Sequence, residues 1–281
     1  MDQIEIRNLV PNFLNFYELA NQPDHDETAR WELWEGHYNF AAVPPGDQGQ
    51  AMARQLLEDA WKEYGQHLSV IEKWSPDIEK VKAHLTKVKE VLGYDLPIQL
   101  VVIYFVGGFE NNAFVAPFDE DRLALCLPIE NGDSDITLVH ELTHVVHART
   151  AHLTAEWERT IASTILQEGL AAQLSKYVIP GKTDECYIES KKGWLQSCAK
   201  KKREIILGII PFLTDSSSET VTKFTFGNGT TGHEREAYYA GWEIVHSLLE
   251  QGNTFEQIAH IKEEKIPKYL NQAIAGYLSQ R

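Results

Sequence analysis

Cysteine is scarce in this chain: Cys126, Cys186 and Cys198 are odd in number and form no C-x-x-C pair. A disulfide framework is therefore not implied, and a reducing compartment is the simplest expectation. Long apolar runs are also missing. No stretch of eighteen apolar residues occurs, so no membrane-spanning helix is expected, and Met1-Asp2-Gln3-Ile4-Glu5 lacks the basic start of a secretory signal. A cytoplasmic protein follows as the expectation. Positive charge is the third shortage, with 26 Lys and Arg against 41 Asp and Glu and a formal net charge of −15. Such a chain is not steered toward nucleic acid or an anionic membrane, and neither is expected as a partner. In so acidic a background, Lys200-Lys201-Lys202-Arg203 fits a solvated helix face better than a phosphate patch.

What is present centres on Leu138-Val139-His140-Glu141-Leu142-Thr143-His144-Val145-Val146. Turn residues Asn131-Gly132-Asp133-Ser134 precede it, and Asp133, Ser134 or Asp135 suits the start of a helix. Residues four apart share a helix face, so His140 and His144 can aim imidazole nitrogens at one point. Glu141, rotated by about 100° from His140, borders that point without ligating it. It is placed to act as general base on a metal-activated water. The flanking Ile136, Leu138, Val139, Leu142, Val145 and Val146 mark a nearly all-buried helix. Burying this polar trio unpartnered would be costly, and a zinc ion would remove that cost.

A third ligand is sought downstream. Glu168 lies on an otherwise apolar helical stretch with Ile161, Ile165, Leu166, Leu170 and Leu174, next to Gly169, which permits close approach of another helix. Twenty-four positions separate it from His144, enough for a turn and an antiparallel return. Glu156 and Glu158 compete but read as solvated, near the turn at His152-Leu153-Thr154. For oxyanion stabilisation the candidates are Tyr238, Tyr239 and His233. His147 and His152 read as structural or surface histidines.

H-E-x-x-H followed by Glu168-Gly169-Leu170-Ala171 on a second helix resembles the gluzincin metallopeptidases, whose third zinc ligand is a glutamate. More narrowly, the chain is similar to a bacterial family of predicted zinc-dependent proteases with a C-terminal gluzincin domain, known as a domain of unknown function. The resemblance covers about Leu96 to Leu249. It implies one zinc per chain on His140, His144 and Glu168, Glu141 as base, and a peptide or protein substrate. Tyr238-Tyr239-Ala240-Gly241 is similar to the tyrosine-bearing helix of that clan and points to Tyr238. Gly107-Gly108-Phe109-Glu110-Asn111 resembles the G-x-M-E-N strand of gluzincin aminopeptidases, with Phe for Met. Glu110 could hold a substrate amine there, with Asn111 beside it, although an Asn111-Asn112 turn is the favoured reading. The gap from His144 to Glu168 exceeds that usual in the large aminopeptidases, so exopeptidase action is not carried over.

The expected fold is α+β and mostly helical: an N-terminal helical lobe over 1–94 and a gluzincin-like catalytic domain over 95–281, its small sheet packed on the H-E-x-x-H helix. In the lobe, Trp31, Trp34 and Tyr38 follow helical spacing and read as core. Pro44-Pro45-Gly46 ends that unit, and helices follow over 48–74 and from Pro76 to Leu92. Strands are expected at 98–105, 113–116 and 123–127. After the Glu168 helix, one helix over 185–209, a loop over 211–234 that could cover the cleft, the Tyr238 helix and an amphipathic helix over 266–278 complete the reading. Two other functions fit the same residues: a non-catalytic zinc-stabilised binding or regulatory protein, and a metallohydrolase of a non-peptide substrate. A Glu141 that ligates nothing favours catalysis.

Overall fold

The computed structural model describes residues 1–43, 46–130, 132, 134–154 and 158–279. Asn131 and Asp133 of the expected turn, Pro44-Pro45 and the competing carboxylate Glu156 lie outside the described residues. The chain is mostly helical with one small mixed sheet, an α+β architecture. It forms two compact units, one of Met1–Lys82 with Pro97–Ser134, the other of Ala83–Leu96 with Asp135–Arg281. The expected boundary after residue 94 falls within the Ala83–Leu96 segment of the second unit.

The first unit holds the sheet. Its strands are β1 (Gln3–Asn8), β2 (Gln99–Phe105), β3 (Phe114–Pro117) and β4 (Leu123–Pro128), in spatial order β1-β2-β4-β3. β1, β2 and β4 run parallel, and β3 pairs antiparallel with β4. β2 and β4 are buried along nearly their whole length, which is why they read as unbroken apolar runs. β1 was not expected. Ile4 and Ile6 are half-buried, and they alternate with exposed Glu5 and Arg7 as an edge strand requires. α1 (Val10–Ala20), α2 (Glu27–His37) and α3 (Asp47–Lys73) complete the unit. Phe13 and Phe16 of α1 pack in an aromatic cluster with Tyr38, Trp61 and Tyr64. Trp34 and Tyr38 are buried, as the core reading of the aromatic stripe requires. α4 (Ile78–Leu92) spans the boundary between the units in sequence.

The second unit is built around one helix. α5 (Asp135–Ala151) carries H-E-x-x-H and packs on α6 (Ile161–Val178), whose residues from Ile161 to Ser175 are all buried. A helix buried on every side must sit at the centre of its unit. The expected long helix over 185–209 is three pieces: α7 (Glu185–Ile188), α8 (Trp194–Ala199) and α9 (Lys202–Ile209). Gly193 takes φ 83°, a left-handed conformation that breaks the run before α8. The expected loop over 211–234 contains α10 (Ser218–Thr225), where the Ser217 side chain accepts the Thr220 N–H as an N-cap. α11 (Glu236–Glu250), α12 (Phe255–Ala259) and α13 (Ile266–Ser279) follow, with α11 and α13 both packed on α6. Among the described residues, no helix is long and apolar enough to cross a membrane.

Candidate metal centre

Three helices of the second unit bring the site together, and glycine sets how closely two of them approach. A Cβ on Gly169 of α6 would collide with the Gly241 carbonyl of α11, and a Cβ on Gly241 would collide with the Ile165 carbonyl. Two backbones in contact leave α6 and α11 no freedom to slide. Glu168 is therefore fixed beside the α11 face that carries Gly241 and, one turn earlier, Tyr238.

Glu168 is only 4% exposed on its apolar helix. Its Oε2 lies 3.3 Å from Nε2 of His140 and 3.5 Å from Nε2 of His144. With zinc–ligand bonds of about 2.0–2.1 Å, ligand atoms at tetrahedral corners lie about 3.3–3.4 Å apart. Both distances match that edge. Two imidazoles and a carboxylate are also the donor types of catalytic zinc sites, so the residues fit the metal. A carboxylate oxygen of Glu141 and one nitrogen of each histidine lie within 4.8 Å of one another. Glu141 thus borders the cluster, while the two short edges go to Glu168.

Burial opposes ionisation of Glu168, but His144 and the hydrogen bonds from both histidines outweigh it and hold the carboxyl well below its usual range. Burial pushes the Glu141 carboxyl up, and the nearby histidines offset this only in part. For His144, burial disfavours the charged form, yet the Glu168 carboxylate raises its pKa overall.

Two arginines absent from the sequence reading belong to the surroundings. Arg159 directs Nη2 at Oε1 of Glu168 over 3.5 Å and Nε at the Thr164 hydroxyl over 3.3 Å. It grips the Glu168 oxygen that the histidines leave free. Arg235 begins α11 in the left-handed conformation, φ 56°, and its guanidinium lies 3.8 Å over the Tyr238 ring. Their only sequence signal was position, since each basic residue stands within two positions of the start of a buried helix in an acidic chain.

The other expected site residues divide. Burial raises the Tyr238 phenol's pKa, and so does the Glu168 charge, which places that hydroxyl in the field of the cluster. The Tyr239 hydroxyl instead donates to Glu243, which also accepts from Tyr277. His233 pairs through Nε2 with the Ser197 hydroxyl and through Nδ1 with the Thr231 hydroxyl, in a surface pocket with Lys191 and Lys192. Glu110 and Asn111 belong to a turn of the first unit, where Glu110 Oε2 accepts the Gly108 N–H at 2.6 Å and Asn111 takes φ 54°.

His147, the third histidine of α5, is fully buried, and among the described residues neither ring nitrogen has a hydrogen-bond partner. Cys126 and Cys198 are buried and Cys186 is exposed, all three as free thiols.

No curated protein and no solved structure matches the chain significantly. A family model described as "Predicted Zn-dependent protease (DUF2268)" matches residues 117–268, more than half of the 281. That span contains H-E-x-x-H, Glu168, both arginines and Tyr238. The chain belongs to this family of predicted zinc-dependent proteases.

Proposed function

We propose that this protein is a zinc-dependent peptidase in which His140, His144 and Glu168 hold one zinc ion and Glu141 is the general base. The observation that carries the reading is the pair of distances from Glu168 Oε2 to the two histidine nitrogens, 3.3 and 3.5 Å, on two helices locked together with a third. When bound, zinc acidifies a water molecule and polarises the scissile carbonyl.

The chain's own residues supply the rest. Glu141 removes the proton of the attacking water and later delivers it to the leaving amine. Its burial raises its basicity, which suits a carboxylate asked to take a proton near neutral pH. Tyr238 is the group proposed to donate a hydrogen bond to the oxyanion. Tyr239 is committed to Glu243, and His233 to Ser197 and Thr231. Burial keeps the Tyr238 phenol protonated and able to donate. Arg159 steadies Glu168 from the side away from the histidines.

The experiment is elemental analysis after dialysis, on wild type, Glu168→Ala and Glu141→Gln, with cleavage of casein and a peptide library in parallel. The expected result is one zinc per chain in wild type, loss in Glu168→Ala, and a metal-loaded but inactive Glu141→Gln. A wild type that binds no zinc, even when it is added, would overturn the reading.

A further inference from the structure

We infer that Arg235 forms a carboxylate-binding subsite beside the metal centre, so that the favoured substrates are peptides carrying a carboxylate close to the scissile bond. This rests on the peptidase reading for its reaction but on Arg235 alone for its chemistry. Along one face of α11, Gly241 meets Gly169 of α6, Tyr238 lies one turn earlier and Arg235 one turn earlier again. Since Glu168 adjoins Gly169, this ladder points the start of α11 toward the cluster. The Arg235 charge acts on the carboxyl of Glu141 and the phenol of Tyr238.

Three features set this guanidinium apart from an ordinary surface arginine. Its Nε is buried with no hydrogen-bond partner among the described residues. Its guanidinium carbon lies over the Tyr238 ring, 3.8 Å from the centroid, so a cation–π contact positions a fork that suits a planar acceptor. It stands at the N-terminus of α11, where the helix dipole disfavours a cation, in a left-handed conformation that a side chain bearing a Cβ rarely adopts. An anion on the guanidinium would offset the dipole cost.

The charge balance of the site agrees. Arg159 is already engaged by Glu168, so the two arginines offset the charges of Glu141 and Glu168, and with the buried Glu236 beside Arg235 also counted a divalent ion still leaves the site positive. In a chain of net charge −15 that is a local attraction for anions. A carboxylate matches the guanidinium fork with two parallel hydrogen bonds. An α-carboxylate and an Asp or Glu side chain present the same group, and the experiment separates them.

Zinc-loaded Glu141→Gln protein, which leaves peptides intact, would be titrated calorimetrically with N-acetylated tripeptides in three forms: free acid, C-terminal amide, and amide with a penultimate Glu. The same titrations would be made without zinc, and in the Arg235→Met and Arg235→Lys backgrounds. The expected result is about tenfold tighter binding of a carboxylate form over the neutral amide, lost in Arg235→Met and kept in part by Arg235→Lys. Preference for the free acid identifies the α-carboxylate, and preference for the Glu peptide identifies the side chain. Equal affinity of all three forms, or a preference unchanged in Arg235→Met, would overturn the subsite. Discrimination in these titrations, combined with a zinc-loaded wild type that cleaves no member of the peptide library, would overturn the peptidase reading and leave the subsite standing.

Discussion

Gly169 and Gly241 face each other across two helices so closely that neither tolerates a Cβ without displacing the other's backbone. This contact joins the helix of Glu168 to the helix of Tyr238 and Arg235, so the geometry of the metal cluster depends on two missing side chains. Gly169→Ala is expected to force α6 and α11 apart and lower unfolding free energy by about 1–3 kcal/mol, the usual range for overpacking. Zinc affinity is expected to fall with it, because Glu168 moves with α6. Chemical denaturation together with zinc competition against a chelator checks both. An Ala variant of unchanged stability and affinity would show that the helices relax freely.

Arg159 holds Glu168 Oε1 while Oε2 faces the histidines. Replacing it by Met removes the partner of a buried carboxylate while keeping the length of the side chain. Groups that orient a metal ligand typically cost about 10–100-fold in affinity when removed. Arg159→Met is expected to weaken zinc binding by that order, with Arg159→Lys intermediate because it keeps the charge and loses the fork. Chelator competition reads the affinity directly.

These residues divide by what a sequence can encode locally. His140, Glu141 and His144 were legible because helical spacing alone puts them together. Glu168 was legible because a charge on an apolar helix stands out, and Gly169 beside it announced a close helix contact. Arg159 and Arg235 were not, since each lies just outside a helix, where no periodicity marks a direction. The left-handed backbone of Arg235 is likewise invisible in its residue type. β1 was overlooked although Ile4 and Ile6 alternate with charged residues, because its pairing partner lies more than ninety positions away at β2. Run together, α7 to α9 looked like one helix; the left-handed Gly193 parts α7 from α8, and the break at Lys200-Lys201 before α9 has no glycine or proline to announce it. Tyr238 and Tyr239 are adjacent and alike in residue type; the resemblance favoured Tyr238, and tertiary partners give the physical distinction.

His147 predicts an acid sensitivity independent of catalysis. Burial lowers its pKa from 6.5 to about 3, with the charges of His144 and His260 adding to the effect. The folded ring is therefore neutral, whereas the unfolded ring takes up a proton below pH 6.5. Its contribution to stability is full above that pH and is lost as the pH falls toward 3. One pKa unit corresponds to about 1.4 kcal/mol, so at pH 5 the expected penalty is about 2 kcal/mol. His147→Leu fills the same buried site without a proton to bind. Urea unfolding at pH 7 and pH 5 should show a smaller acid loss in His147→Leu than in wild type. Equal losses would assign the acid sensitivity to other groups.

Glu236 is fully buried at the start of α11 and accepts four hydrogen bonds: the backbone N–H and the hydroxyl of both Thr230 and Thr231. Every one of its neighbours is a donor, so the carboxylate fits where an amide does not. In Glu236→Gln an NH2 group must face the Thr230 or Thr231 donors, leaving buried groups unsatisfied at about 1–3 kcal/mol. The residue next to it is Arg235, whose left-handed turn depends on how the 230–236 segment enters the helix. Glu236→Gln is therefore expected to lower thermal stability and also to reduce discrimination between free-acid and amide peptides, while zinc content stays near that of wild type. Differential scanning fluorimetry, elemental analysis and the peptide titrations measure the three effects separately. A variant that loses zinc to the same degree as discrimination would mean that the start of α11 supports the metal ligands and not Arg235 alone.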